Sequence, residues 1–186
     1  PRHLFVHGGE RHGDDAAWAP REGAERIAFT VMTTVLTGVG FALLLVAGMM
    51  MRGERVDFRR GVLWGAGGFA AFTLAPTMGL PPELPGTAAA DLVARQIWWI
   101  SAAVTALGGL WLLAFTPGTA WKVAGVLLLA APQIIGAPHP HEMSGGGAPA
   151  ELAAQFAATS IATAAVFWVL LGGFAGHFLG RSQATS

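Results

Sequence analysis

The chain has 186 residues, 53% of them hydrophobic and only 12% charged, where a soluble domain carries about 25% charged residues. An ordinary soluble domain is thereby excluded, because the charges fall in the gaps between long apolar runs, as in a membrane protein with several spans. Formal net charge is zero, which points away from nucleic acid and from an acidic-lipid role, and the absence of cysteine excludes disulfides and thiolate metal sites.

Residues 1–26 read as a polar, extended or loosely ordered aqueous segment. It carries His3, His7 and His12, half of the six histidines, among glycines and charges such as Glu10, Asp14 and Asp15. The chain opens at Pro1, which implies processing or a missing upstream part. A transmembrane domain follows over residues 27–180, with helices predicted near 27–51, 61–80, 92–115, 119–136 and 151–179. About 20 apolar residues cross a bilayer core. In the first helix, Thr30, Thr33, Thr34 and Thr37 are tolerable because a hydroxyl bonds back to its own helix carbonyls. The second carries Gly61 and Gly65 at the spacing that lets two backbones approach, and Pro76 is expected to break or kink its last turn. Arg95, Trp98 and Trp99 open the third at interface depth. Thr116-Pro117-Gly118 is a tight turn into the fourth, which has Pro132 near its end. Gly172, Gly176 and Gly180 make a small-residue stripe on the fifth, and residues 181–186 are read as a short tail. The fold class is all-α, a polytopic membrane helix bundle of five spans.

A motif recurs along the chain. Ala75-Pro76-Thr77-Met78-Gly79-Leu80-Pro81 and Ala131-Pro132-Gln133-Ile134-Ile135-Gly136-Ala137-Pro138 share Ala-Pro, then Gly-x-Pro. Each is followed by a loop with a glutamate, Glu83 or Glu142, and then by an acid-led apolar helix, at Asp91 or Glu151. This reads as an internal repeat of two-helix units in parallel orientation. Ala24-Glu25-Arg26 before the first helix suggests a third unit whose first helix would lie upstream of Pro1.

Five spans put the termini on opposite faces. Face one holds residues 1–26 and the loops after Pro81 and Ala137; face two holds the Arg52–Arg60 loop, the Thr116–Lys122 turn and the C-terminus. Lysine plus arginine number five on face one and six on face two. The compact loop with Arg52, Arg55, Arg59 and Arg60 decides in favour of a cytoplasmic face two, since short loops follow the positive-inside bias best.

His139 and His141 join His3, His7 and His12 on face one, with Glu83 and Glu142. Imidazole and carboxylate without sulfur suit cobalt, nickel or zinc. His3 and His7 would meet on one side of a helical turn, and His139 and His141 on one side of an extended segment. The expected metal residues are therefore His139, His141, Glu142, Glu83, His3, His7 and His12, with Co²⁺, Ni²⁺ or Zn²⁺ as the transported ion. The plain alternative is exposed loop histidines with no ligand. Gln133 is either a pathway ligand or one half of an interhelical hydrogen bond, the second being preferred. Met49-Met50-Met51 reads as apolar filling before it reads as a copper(I) site. No carboxylate, lysine or arginine lies mid-span, which argues against a proton relay within this chain alone. No nucleotide-binding loop, nucleophile elbow or metalloprotease motif is present, so no enzyme activity or catalytic residue is expected.

Trp18-Ala19-Pro20, Gly38-Val39-Gly40-Phe41, Trp64-Gly65 with Gly68-Phe69, Gly79-Leu80-Pro81-Pro82-Glu83-Leu84-Pro85-Gly86, Arg95-Gln96 with Trp98-Trp99, and Gly136-Ala137-Pro138 together resemble the CbtA family of proposed cobalt transporter subunits, from Trp18 to Gly176. The resemblance implies a bacterial inner-membrane protein, working in cobalt uptake with a small single-span, histidine-rich CbtB partner. The family pattern has a histidine after the proline of the fourth-span motif, where this chain has Gln133, and another apolar span before the first. A rival reading is a structural or accessory subunit of a larger membrane complex, with Gly61 and Gly65 on a docking face.

Overall fold

The computed structural model describes residues 20–84, 89–139 and 149–185. Among the described residues all regular structure is helical: α1 Ala24–Arg52, α2 Phe58–Phe69, a π-helical turn Ala70–Leu74, α3 Ala75–Thr77, α4 Leu92–Phe115, α5 Thr119–Ile135 and α6 Ala150–Thr185. α2, the π turn and α3 follow one another without a break. Three helices, α1, α4 and α6, are long and apolar enough to cross a membrane. The chain divides into two units, Pro1–Val39 and Gly40–Ser186.

In the first unit, Glu22 pairs with Arg26 and Arg21 with Glu25 ahead of an apolar helix. The Thr30 and Thr34 hydroxyls donate to the carbonyls of Arg26 and Thr30, both at 2.8 Å. This is the back-bonding that lets threonine sit in an apolar run. Ile27, Val31, Val35 and Leu36 are exposed, as a helix solvated by lipid requires.

In the second unit two helix pairs form, α2 with α6 and α4 with α5. Glycine makes both. A Cβ on Gly61 would stand 2.3 Å from the Gly172 carbonyl oxygen, and one on Gly65 would stand 2.2 Å from that of Trp168. Gly176 and Gly180 meet the carbonyls of Asp57 and Val56 in the same way. In lipid the drive for such pairing is close van der Waals contact, which only a missing side chain permits at this range. The stripe expected to approach another backbone does so within the chain, along α6. α4 and α5 meet likewise at Gly109 and Gly125.

Aromatic rings fill the space beside the α2–α6 seam. Trp168 is buried with Leu45, Met49 and Val56. It stacks on Phe72 at 5.7 Å and meets Phe41 at 4.8 Å between centroids. Its indole N–H donates to the Thr73 hydroxyl at 3.1 Å. Met49 is fully buried in this cluster while Met50 and Met51 are exposed, so the three thioethers diverge, as apolar filling does.

Pro76 acts as expected on its helix, by a specific route. A proline cannot donate, and its ring crowds the carbonyl four residues back. The backbone widens into the π turn just before it, where Ala75 N–H bonds to Ala70 O, and the helix stops at Thr77. Pro132 is instead carried inside α5, which closes at Gly136 with φ +86°. α6 overruns its expected end at 179 and stays helical to Thr185.

Candidate functional site at the paired Ala-Pro motifs

The two copies of the Ala-Pro motif lie against each other. The Gln133 side-chain amide donates to the Ala75 carbonyl at 2.9 Å, joining the residue after one proline to the residue before the other. That carbonyl needs an outside partner, because the last turn closes on Pro76 O instead, from Gly79 N and Leu80 N. Of the two readings of Gln133, the interhelical hydrogen bond is the one present. Gly79 packs on Trp98 and on Ala137: a Cβ there would come within 2.4 Å of the indole and 2.9 Å of Ala137 Cβ. Trp98, Ala102 and Ala137 are buried together, with Leu80 against them. The Trp98 indole nitrogen is buried there with no hydrogen-bond partner among the described residues.

A cleft of about 910 Å³ opens beyond this junction, lined by Leu80, Glu83, Arg95, Gln96 and Trp99 among others. Asp91 caps α4 by accepting from Ala94 N–H at 2.9 Å. Capping fixes the first turn of the helix, and that turn carries Arg95. The Arg95 guanidinium reaches Glu83 at 3.4 Å, both side chains being about one-third exposed (31% and 35%). Glu83 is thus a carboxylate at the cleft wall, held by a cation twelve residues on. Sequence reasoning missed this pair; the signal available was an acid and an arginine flanking one turn.

Of the expected metal residues, the structure places Glu83 in this cleft and His139 exposed, just after the buried Ala137. His3, His7, His12, His141 and Glu142 lie outside the described residues. Among the described residues no three His, Asp or Glu side chains come together at a spacing that would hold an ion. The cleft wall thus presents one carboxylate, already paired with the Arg95 guanidinium, and the Gln96 amide.

A family described as "Probable cobalt transporter subunit (CbtA)" matches residues 3–180. No curated protein and no solved structure matches the chain. The match covers nearly the whole chain, including both Ala-Pro motifs and the glycine stripes. Together with three helices able to cross a bilayer, it puts the protein in a membrane and in a transport assembly. The chain belongs to the CbtA family, whose description is probable cobalt transporter subunit.

Proposed function

We propose that the protein is the membrane-embedded subunit of a divalent metal uptake system, with cobalt as the cargo, gathering the ion on the extracytoplasmic face. The observation that carries this reading is the meeting of the two Ala-Pro motifs, with Glu83 on the adjoining cleft. In transporters built from repeats, the substrate site lies at the interface between the repeats. The pairing of the helices supports a repeat of this kind. Exchanging α2–α3 plus α4 with α5 plus α6 maps the α2–α6 pair onto the α5–α4 pair, and these are the two close pairs of the unit. The units would then share one orientation and be related by an axis along the membrane normal.

Five spans follow from the same reading. The Phe58–Thr77 segment is ~30 Å long and α5 ~25 Å, close to the ~30 Å of a hydrocarbon core. The N-terminus is extracytoplasmic and the C-terminus cytoplasmic, in a bacterial inner membrane. His139, His141, Glu142 and Glu83 gather the ion at the mouth, with His3, His7 and His12 folding over it; nickel or zinc would satisfy the same ligands. A small single-span, histidine-rich CbtB-like partner completes the path, and no catalytic step is assigned to the chain. The accessory-subunit alternative drew on Gly61 and Gly65 as a docking stripe, and α6 already fills that stripe.

The test is a cobalt titration of the purified protein, with and without the small partner. His139→Ala, His141→Ala and Glu83→Gln should each weaken binding. Unchanged affinity in all three removes the mouth site. Labelling of Ser144→Cys from the cytoplasmic side alone would reverse the orientation.

A further inference from the structure

We propose that the groove between α1, α2 and α4 is a binding site for one anionic phospholipid of the leaflet facing the Arg52–Arg60 loop. The groove has a volume of about 710 Å³ and belongs wholly to the second unit. It exists because the tight helix pairs are α2–α6 and α4–α5, whereas α2 and α4 meet through side-chain rings, such as Trp64 on Phe115 at 5.6 Å and on Trp111 at 6.4 Å. Phe41, Trp64, Phe72, Trp111 and Trp168 line it, and Gly67 opens onto it: a Cβ there would meet nothing within 4 Å.

Its length and its ends choose the occupant. From Phe41 to Met51 the lining side of α1 is ~15 Å long, half of a ~30 Å hydrocarbon core and so the depth of one leaflet. At the deep end the walls are aromatic. At the mouth stand Arg60 and Glu54. Glu54 also pairs with Arg52, whose guanidinium lies 4.7 Å from the Phe115 ring centroid. One carboxylate between two guanidiniums leaves a positive surplus, and Arg55 and Arg59 are exposed on the same loop. Asp57 is turned to α2, accepting from Arg60 N–H. Zero net charge argues against an acidic-lipid role for the chain taken as a whole; this loop carries its own excess. An arginine pair at the polar end of an apolar slot between helices matches a phosphate head with an acyl chain.

The experiment is native mass spectrometry of the full chain in detergent, with phosphatidylglycerol and phosphatidylcholine of matched chains in equal amounts. Phosphatidylglycerol should be retained preferentially, and glycerol 3-phosphate should not displace it. Gly67→Leu fills the groove from a position with free space and should abolish retention; Leu63→Trp, from an exposed lining position, should do the same. Arg60→Gln should cut the preference for the anionic lipid roughly fivefold while keeping the chain contact. Equal retention of the two lipids overturns the proposal, as does retention unchanged in both groove-filling variants. Displacement by glycerol 3-phosphate would identify an anion site without a lipid. A photo-crosslinker at Met51 that captures a second copy or a partner helix instead of lipid would also overturn it. None of these outcomes depends on cobalt binding.

Discussion

Gly65→Ala and Gly67→Ala place the same methyl group two residues apart on one helix, with opposite expected results. At Gly65 the new Cβ would lie 2.2 Å from the Trp168 carbonyl oxygen and 3.2 Å from Gly172 Cα. Both are backbone atoms, so no side chain can turn aside. Ordinary contact requires α2 and α6 to move apart by roughly 1 Å, and a gap of that size forfeits a large part of each dispersion contact along the seam. Overpacking of this kind costs ~1–3 kcal/mol, against a helix-propensity gain of ~1 kcal/mol for replacing glycine. The net expectation is a loss of up to ~2 kcal/mol. At Gly67 nothing lies within 4 Å of the new Cβ. Only the propensity and unfolded-chain terms act there, and they stabilise by ~0.4–1 kcal/mol. The propensity gain is common to both, so the two variants should differ by the overpacking cost, ~1–3 kcal/mol, a factor on the order of five to a hundred and fifty in the unfolding equilibrium. Reversible denaturation in mixed detergent micelles, followed by circular dichroism and tryptophan fluorescence, reads the difference. Equal stabilities would refute direct backbone contact between α2 and α6, and with it the assignment of the Gly61–Gly65 stripe to an internal partner.

Gln133→Leu removes the side-chain donor to the Ala75 carbonyl; it should destabilise by ~0.6–2 kcal/mol in the same assay. Trp168→Phe loses the Thr73 bond and part of the stack on Phe72 and should cost ~1–3 kcal/mol, with a Thr73→Val cycle coupling the two sites. Arg95→Gln frees the Glu83 carboxylate from a pair that is about one-third exposed. Stability should change by less than ~1 kcal/mol, while cobalt binding measured by titration calorimetry rises several-fold. Unaltered binding would take Glu83 out of the metal path.

What the sequence discloses and what it hides divide along a physical line. Solvent preference is a property of a segment alone, so the apolar runs, the charged Arg52–Arg60 loop and the helical class are legible residue by residue. Contact is a property of two segments, and the sequence states at most half of it. Gly61, Gly65, Gly172 and Gly176 announce that some backbone will come close, since nothing else benefits from so many missing side chains in a row. They do not say which backbone, and a stripe that reads equally well as a docking face for another protein is filled by α6. Gln133 is similar: a lone amide in an apolar run must find a partner, but nothing local names the Ala75 carbonyl. That carbonyl is open because Pro76 ends its helix, so the bond is visible only once the two motifs are known to touch. The π turn and the Glu83–Arg95 pair leave weaker traces, one being a backbone adjustment around Pro76 and the other depending on the turn that brings α4 back. The end of α6 shows the same asymmetry in reverse. Arg181, Ser182 and Gln183 look like a solvated tail by composition, yet the helix continues and Gln183 accepts from Val56 N–H at 3.3 Å. The Gly180 contact with Val56 holds that turn against the loop, so the polar residues are kept helical by a contact that begins one residue earlier. A boundary drawn where hydropathy falls is thus a statement about lipid. The helix itself continues past that boundary, where its contact with the loop does.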